Sequence, residues 1–247
     1  FDPSQTYPVI DSIYPGPQAK RNAVRFDEII FDGMDAQSIA ELGFIVITVD
    51  GRGTPLRSKT FFDHMYGDME KASDLDDHIA AIRQLATIYP SMDVKRVGIY
   101  GNSGGGFASA HALLKYPEFF KVAVSASGNH DQRGNTLRWG EAYNGPEVGA
   151  NYLNASNSPL AKNLKGKLLL VHGELDDNVH PSSTMQLVDA LIKENKDFDM
   201  LILPNEAHVF EKAAVYFKRK RWDYFVQHLL QKSPPQDYQI HRPKRKQ

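Results

Sequence analysis

The chain has 247 residues, 41% apolar and 24% charged, with 29 Lys and Arg against 30 Asp and Glu and no cysteine. That length suits one large domain, and the near-neutral balance removes any general electrostatic reason to expect nucleic acid or an anionic membrane as partner. The absence of cysteine excludes disulfides, thiolate zinc sites and a cysteine nucleophile, and no apolar run approaches the ~18 residues of a membrane span.

The sequence therefore reads as a soluble folded domain. Its first residue is Phe1 rather than methionine, so a processed or excised piece is expected. In chain order, a β-rich run at 7–14 precedes a helical pattern at 34–42, and a strand at 44–50 precedes a helix at 70–88. A strand at 95–101 leads into a helix at 104–116, and a strand at 121–127 opens an Asn- and Gly-rich excursion over 128–165. Strands at 167–173 and 199–204 alternate with helices at 182–195 and 209–231. Continuous apolar strands separated by long amphipathic stretches imply a parallel sheet buried on both faces. The fold class is thus α/β, a doubly wound, mostly parallel sheet with helices on both faces, over residues 1–232. A polar, basic tail follows at 233–247, extended or disordered in composition. In such sheets, functional residues lie beyond the carboxyl ends of the strands.

One short stretch concentrates the chemistry. "YGNSGGGFAS" (100–109) fits G-x-S-x-G with a strand before it and a helix after it, the context in which a serine is held on a strained turn. A Gly-rich nucleotide-binding turn is the competing reading, but the stretch lacks a P-loop lysine and does not match G-x-G-x-x-G. Ser103 needs a base, and the base a carboxylate. "HGELDDNVH" (172–180) offers Asp176 and Asp177 after one strand, and "NEAHVF" offers His208 after the next. The order Ser, Asp, His is that of α/β-hydrolases.

With "YPVIDSIYPGPQ", "VDGRG", "DLDDHIAAIRQL", "RVGIYGNSGGGFAS", "HGELDDNVH" and "EAH" in this order, the chain resembles the catalytic domain of the prolyl oligopeptidase family, closest to its dipeptidyl peptidase IV branch. The resemblance implies an α/β-hydrolase fold and a serine peptidase releasing N-terminal dipeptides of the Xaa-Pro or Xaa-Ala type. It makes Asp176 the triad acid and His208 the base, with Tyr14 and the Gly104 N–H as oxyanion donors. It also assigns Asn178 to a substrate carbonyl and Val179 to the pocket wall.

Departures from the family pattern concern the pocket. Gly104 stands where proline-cleaving members carry a tyrosine, and Asn135 and Trp139 align with two further tyrosines. The resemblance also implies an N-terminal β-propeller of the parent chain, absent from this sequence, and a first strand equivalent to the third of the family's sheet. An edge without its neighbour favours association, so a homodimer is a possible partner arrangement. A secreted, periplasmic or membrane-anchored location is implied on the same ground.

Other signals carry less. "FKRKRW" (217–222) lies on a helix whose Phe210, Ala213, Phe217, Tyr224 and Phe225 face a core, so its charges are read as a solvated face rather than a nucleic-acid footprint. "GNHD" offers only His130 and Asp131 together, so neither a metal nor another cofactor is expected. His172 and His180 are read first as structural. An acylaminoacyl peptidase or esterase using the same triad, and a non-catalytic hydrolase-like interaction module, are the alternatives.

Overall fold

The computed structural model describes residues 1–15, 17–22, 33–134 and 136–240. Asn135 and the tail residues 241–247 lie outside the described residues. Six strands form a single sheet: β1 (Tyr7–Ser12), β2 (Ile45–Ile47), β3 (Met92–Asn102), β4 (Phe120–Ala126), β5 (Lys167–Gly173) and β6 (Asp199–Leu203). Their order is β2-β1-β3-β4-β5-β6, and every pairing is parallel. The helices are α1 (Gly33–Glu41), α2 (Lys59–Asp63), α3 (Leu75–Ile88), α4 (Gly104–Lys115), α5 (Leu137–Asn144), α6 (Ala150–Asn154), α7 (Ser182–Lys193) and α8 (Ala214–His228). None of them is long and apolar enough to cross a membrane, among the described residues.

Strand alternation explains the two layers of core. Val9 and Ile13, Val97 and Ile99, and Leu168 and Leu170 point to one face, where α3, α4 and α7 bring Ile82, Leu113 and Leu187. Ile10, Tyr100, Val124 and Leu169 point to the other, against Ile39 of α1 and Phe225 of α8. Each fully buried Ile, Leu or Phe contributes roughly 1.5–3 kcal/mol, so the sheet is stabilised from both sides. The Ser183–Leu191 stripe of α7 and the Leu75–Ile82 stripe of α3 are the buried faces of otherwise exposed helices.

Three expectations about the elements change. The helix read at 70–88 is two pieces, a 3-10 turn at Met69–Lys71 and then α3. Ser73 breaks it with φ +47, and Asp74 restarts it by accepting the Asp76 N–H at 3.0 Å. The helix read at 209–231 begins only at Ala214, because the Glu206 carboxylate takes the N–H groups of Glu211 (2.6 Å) and Ala213 (2.8 Å) and holds 209–213 as a loop. The basic run on α8 is not uniformly solvated: Arg221 is 4% exposed, ion-paired with buried Asp35, and its guanidinium lies 4.4 Å from the Tyr100 ring centroid. The excursion over 128–165 contains α5, α6 and two 3-10 turns.

Candidate active site

At the end of β3 the chain turns sharply into α4, and Ser103 sits on the turn with φ +60 and ψ −121. A side chain seldom adopts that conformation, so the surroundings must impose it. They do so from both sides of the turn. The Ser103 N–H donates to Ala126 O of β4 at 2.8 Å, and the Phe107 N–H closes the first helical turn on Ser103 O at 3.0 Å. Gly106 permits the approach, since a Cβ there would collide with Ala126 O.

The loops after β5 and β6 bring two more groups to this turn. His208 Nε2 lies 2.8 Å from Ser103 Oγ, and His208 Nδ1 lies 2.8 Å from Asp176 Oδ2. Of the two acids in the loop, the structure brings Asp176 to the histidine, with its side chain fully buried, and leaves Asp177 exposed. Asp176 Oδ1 accepts the N–H groups of Asn178 (3.0 Å) and Val179 (2.9 Å), and its Oδ2 also meets His172 Nε2 at 3.1 Å. Burial alone would raise this carboxyl's pKa. The hydrogen bonds from His172, His208 and Val179 outweigh burial and hold it well below the usual carboxylate range. His172 is itself clamped by Thr184 Oγ1 (2.8 Å) and Val179 O (2.9 Å), so it braces the acid, whereas His180 is exposed and bonds Ser182 Oγ at 2.9 Å. Ser127 Oγ donates to His208 O at 3.2 Å and anchors the His208 backbone.

Tyr14 enters from the loop after β1. Its hydroxyl accepts from Gln18 Nε2 at 3.0 Å and is hydrogen-bonded with Ser103. Burial raises the Tyr14 pKa, and these two hydrogen bonds only partly offset that, so the phenol keeps its proton as a donor. The "VDGRG" segment supports this loop, because Asp50 Oδ1 accepts the N–H groups of Arg21 (2.6 Å) and Asn22 (3.2 Å). Gly104 opens α4, so its N–H is one of the helix's first four and has no intrahelical acceptor.

Ser103, His208, Tyr14 and Gly104 line one cavity of about 620 Å³. Asn178, Val179 and Trp139 line it too, with Trp139 packed edge-on against Tyr143 at 5.0 Å between ring centroids. A Cβ on Gly104 would meet nothing closer than Pro15 Cγ at 3.9 Å, so glycine is not sterically required there and its presence widens the cavity between Pro15 and Trp139. Sequence reasoning missed several lining residues: Gln18, Met69, Phe107, Asn129, Gln132 and Ile240. Asn129 and Gln132 follow the carboxyl end of β4 directly, and that position was the signal available for them.

Strand order, crossovers and the turn at Ser103 place the chain in the α/β-hydrolase class. More narrowly, it belongs to the prolyl oligopeptidase family, whose sequence pattern matches residues 30–232. Dipeptidyl peptidase 8 of Homo sapiens is 32% identical over 219 residues, covering 84% of this chain and 23% of the human protein. Venom dipeptidyl peptidase 4 of Vespa velutina is 29% identical over 214 residues, covering 84% of this chain and 27% of its own length. Among solved structures, a putative dipeptidyl aminopeptidase IV from Bacteroides ovatus superposes with a TM-score of 0.86 at 30% identity, covering 93% of this chain and 32% of that one. Porphyromonas gingivalis dipeptidyl peptidase 4 gives 0.82 at 30% identity over the same shares. The chain thus spans about a quarter of the length of these curated relatives and about a third of the solved chains.

Proposed function

We propose that this chain is the catalytic part of a serine peptidase that releases N-terminal dipeptides of the Xaa-Pro or Xaa-Ala type. The observation that carries the reading is the continuous path from Asp176 through His208 to Ser103, with the serine facing a cavity that also holds Tyr14. His208 Nε2 takes the Ser103 proton as Oγ bonds to the scissile carbonyl carbon. The carbonyl electrons move onto oxygen, where the Tyr14 hydroxyl and the Gly104 N–H hold them. The C–N bond then breaks, His208 returns the proton to the leaving amine, and water repeats the sequence on the acyl-enzyme. Asp176, anchored by two backbone N–H groups and His172, fixes the base's tautomer.

Asn178 and Val179, with Trp139, form the side of the cavity that receives the acyl part, and Asn135 belongs to the same proposal. Recognition of the substrate's free amine falls to an upstream β-propeller of the longer protein. The test is the rate of that protein on Gly-Pro-p-nitroanilide and on its N-acetylated form. Cleavage of the free-amine compound alone supports the dipeptidyl reading. The open space at Gly104 favours one competitor, an acylaminoacyl peptidase or esterase, and faster cleavage of the acetylated compound would select it.

A further inference from the structure

The cavity has two sides. His208 would deliver its proton to the leaving amine, and its chain neighbours Val209 and Phe210, with Val215, line the same cavity and are assigned with it to the leaving-group side. Asn129 shares a second, small cavity of about 30 Å³ with Asn178 and Val179, the residues proposed above for the acyl side. Besides Asn178, two further carboxamides, Asn129 and Gln132, line the cavity, together with the apolar Met69, Phe107 and Trp139. Both amides, Asn129 (5% exposed) and Gln132 (3% exposed), are buried, so how their polar atoms are satisfied matters.

Their hydrogen bonds form a chain that starts at a backbone donor. The His130 backbone N–H donates to Ser183 Oγ at 2.8 Å, and that hydroxyl donates to Asn129 Oδ1 at 3.1 Å. Asn129 therefore turns its nitrogen to Gln132 Oε1, 3.1 Å away. Gln132 is left with Nε2 as its free end; this nitrogen makes no hydrogen bond among the described residues and is not one of their sealed, unsatisfied atoms, so it reaches the surface of the cavity that Gln132 lines. A donor that opens only onto such a cavity, on an otherwise buried side chain, rewards a matching acceptor and penalises its absence once substrate has displaced the water. The charge of the loop narrows the class. Arg133 is engaged by Asp131 through contacts of 2.6 and 2.9 Å, so the loop offers no unpaired cation to an anionic side chain.

We infer that the acyl side selects substrates in which the residue before the scissile bond carries an uncharged side-chain oxygen, as in asparagine, glutamine, serine or threonine, and that Gln132 Nε2 reads it. Asn129 and Ser183 act as positioning residues that aim the amide. The inference rests on the serine peptidase reading and refines its substrate class beyond proline and alanine.

The test compares kcat/KM of the full-length protein on Gly-Asn and Gly-Leu aminomethylcoumarin amides, near-isosteric at the residue in question, for wild type and Gln132→Met. The ratio within one preparation cancels differences in folded fraction. Wild type is expected to prefer the asparagine compound by tenfold or more, and Gln132→Met to bring the ratio to about one or below. A leucine preference in wild type, a ratio unchanged in the variant, or cleavage of Gly-Pro with none of Gly-Asn overturns the inference. Labelling of Ser103 by a fluorophosphonate separates the two levels. A labelled serine with a flat ratio sinks only the pocket assignment, whereas an unlabelled serine sinks the peptidase reading and the pocket assignment together.

Discussion

Among the described residues, two Ser–His–Asp arrangements have nearly the same geometry. In the first, Ser103 Oγ, His208 and Asp176 are joined by contacts of 2.8 and 2.8 Å. In the second, Ser73 Oγ lies 2.9 Å from His78 Nε2, and His78 Nδ1 lies 2.6 Å from Asp11 Oδ2. Both serines have positive φ, +60 and +47. Yet Ser73, His78 and Asp11 are 1%, 0% and 0% exposed and line neither of the two cavities named above, whereas Ser103 opens onto about 620 Å³ beside Tyr14. Three side chains in line are therefore not a site. What separates the two is access to a cavity and a phenol donor beside the serine, which in the proposed mechanism receive the carbonyl and the oxygen that becomes charged. The buried set ties β1 to α3 instead, closing a polar gap inside the core.

The largest separation is expected in reactivity. Ser103→Ala should abolish fluorophosphonate labelling and lower kcat by about 10⁵–10⁶-fold, while Ser73→Ala leaves labelling intact. Labelling that persists in Ser103→Ala and vanishes in Ser73→Ala would invert the comparison. Stability should divide the other way. His78→Ala strands a buried carboxylate whose Oδ1 already has no partner among the described residues, and it should cost about 3–5 kcal/mol in chemical denaturation. His208→Ala, whose Asp176 keeps His172 and two backbone N–H groups, should cost under about 1 kcal/mol. Equal losses would mean the surface set is as structural as the buried one. The finest test is Tyr14→Phe. It should lower kcat by about 10²-fold with little change in KM, since an oxyanion donor acts in the transition state. An unchanged kcat would remove the feature that most distinguishes the two sets.

The alternation of strands and helices was legible because each strand is buried on both faces, and burial leaves continuous apolar runs such as "KLLLV". Ser103 was legible because the strained turn needs small residues around it. His208 and Asp176 followed from strand ends, although the acid was separated from Asp177 only by family resemblance, and the structure brings the first of them to the histidine. What escaped was set by partners distant in sequence. The break at Ser73 depends on His78 and Asp11, the burial of Arg221 depends on Asp35 across 186 positions, and the Asn129–Gln132 pair depends on Ser183. No local pattern encodes those meetings.

The close approach at Gly106 has a practical side for anyone engineering the chain. Glycine-to-alanine replacement elsewhere is a routine route to stability, worth ~0.4–1 kcal/mol through the unfolded chain. At Gly106 the added methyl would push against Ala126 O, the same carbonyl that holds the Ser103 N–H. A stabilising campaign that treats all glycines alike would thus displace the serine through its hydrogen-bond anchor. Gly134, with open space where a Cβ would go and an ordinary backbone, is where such a campaign should begin.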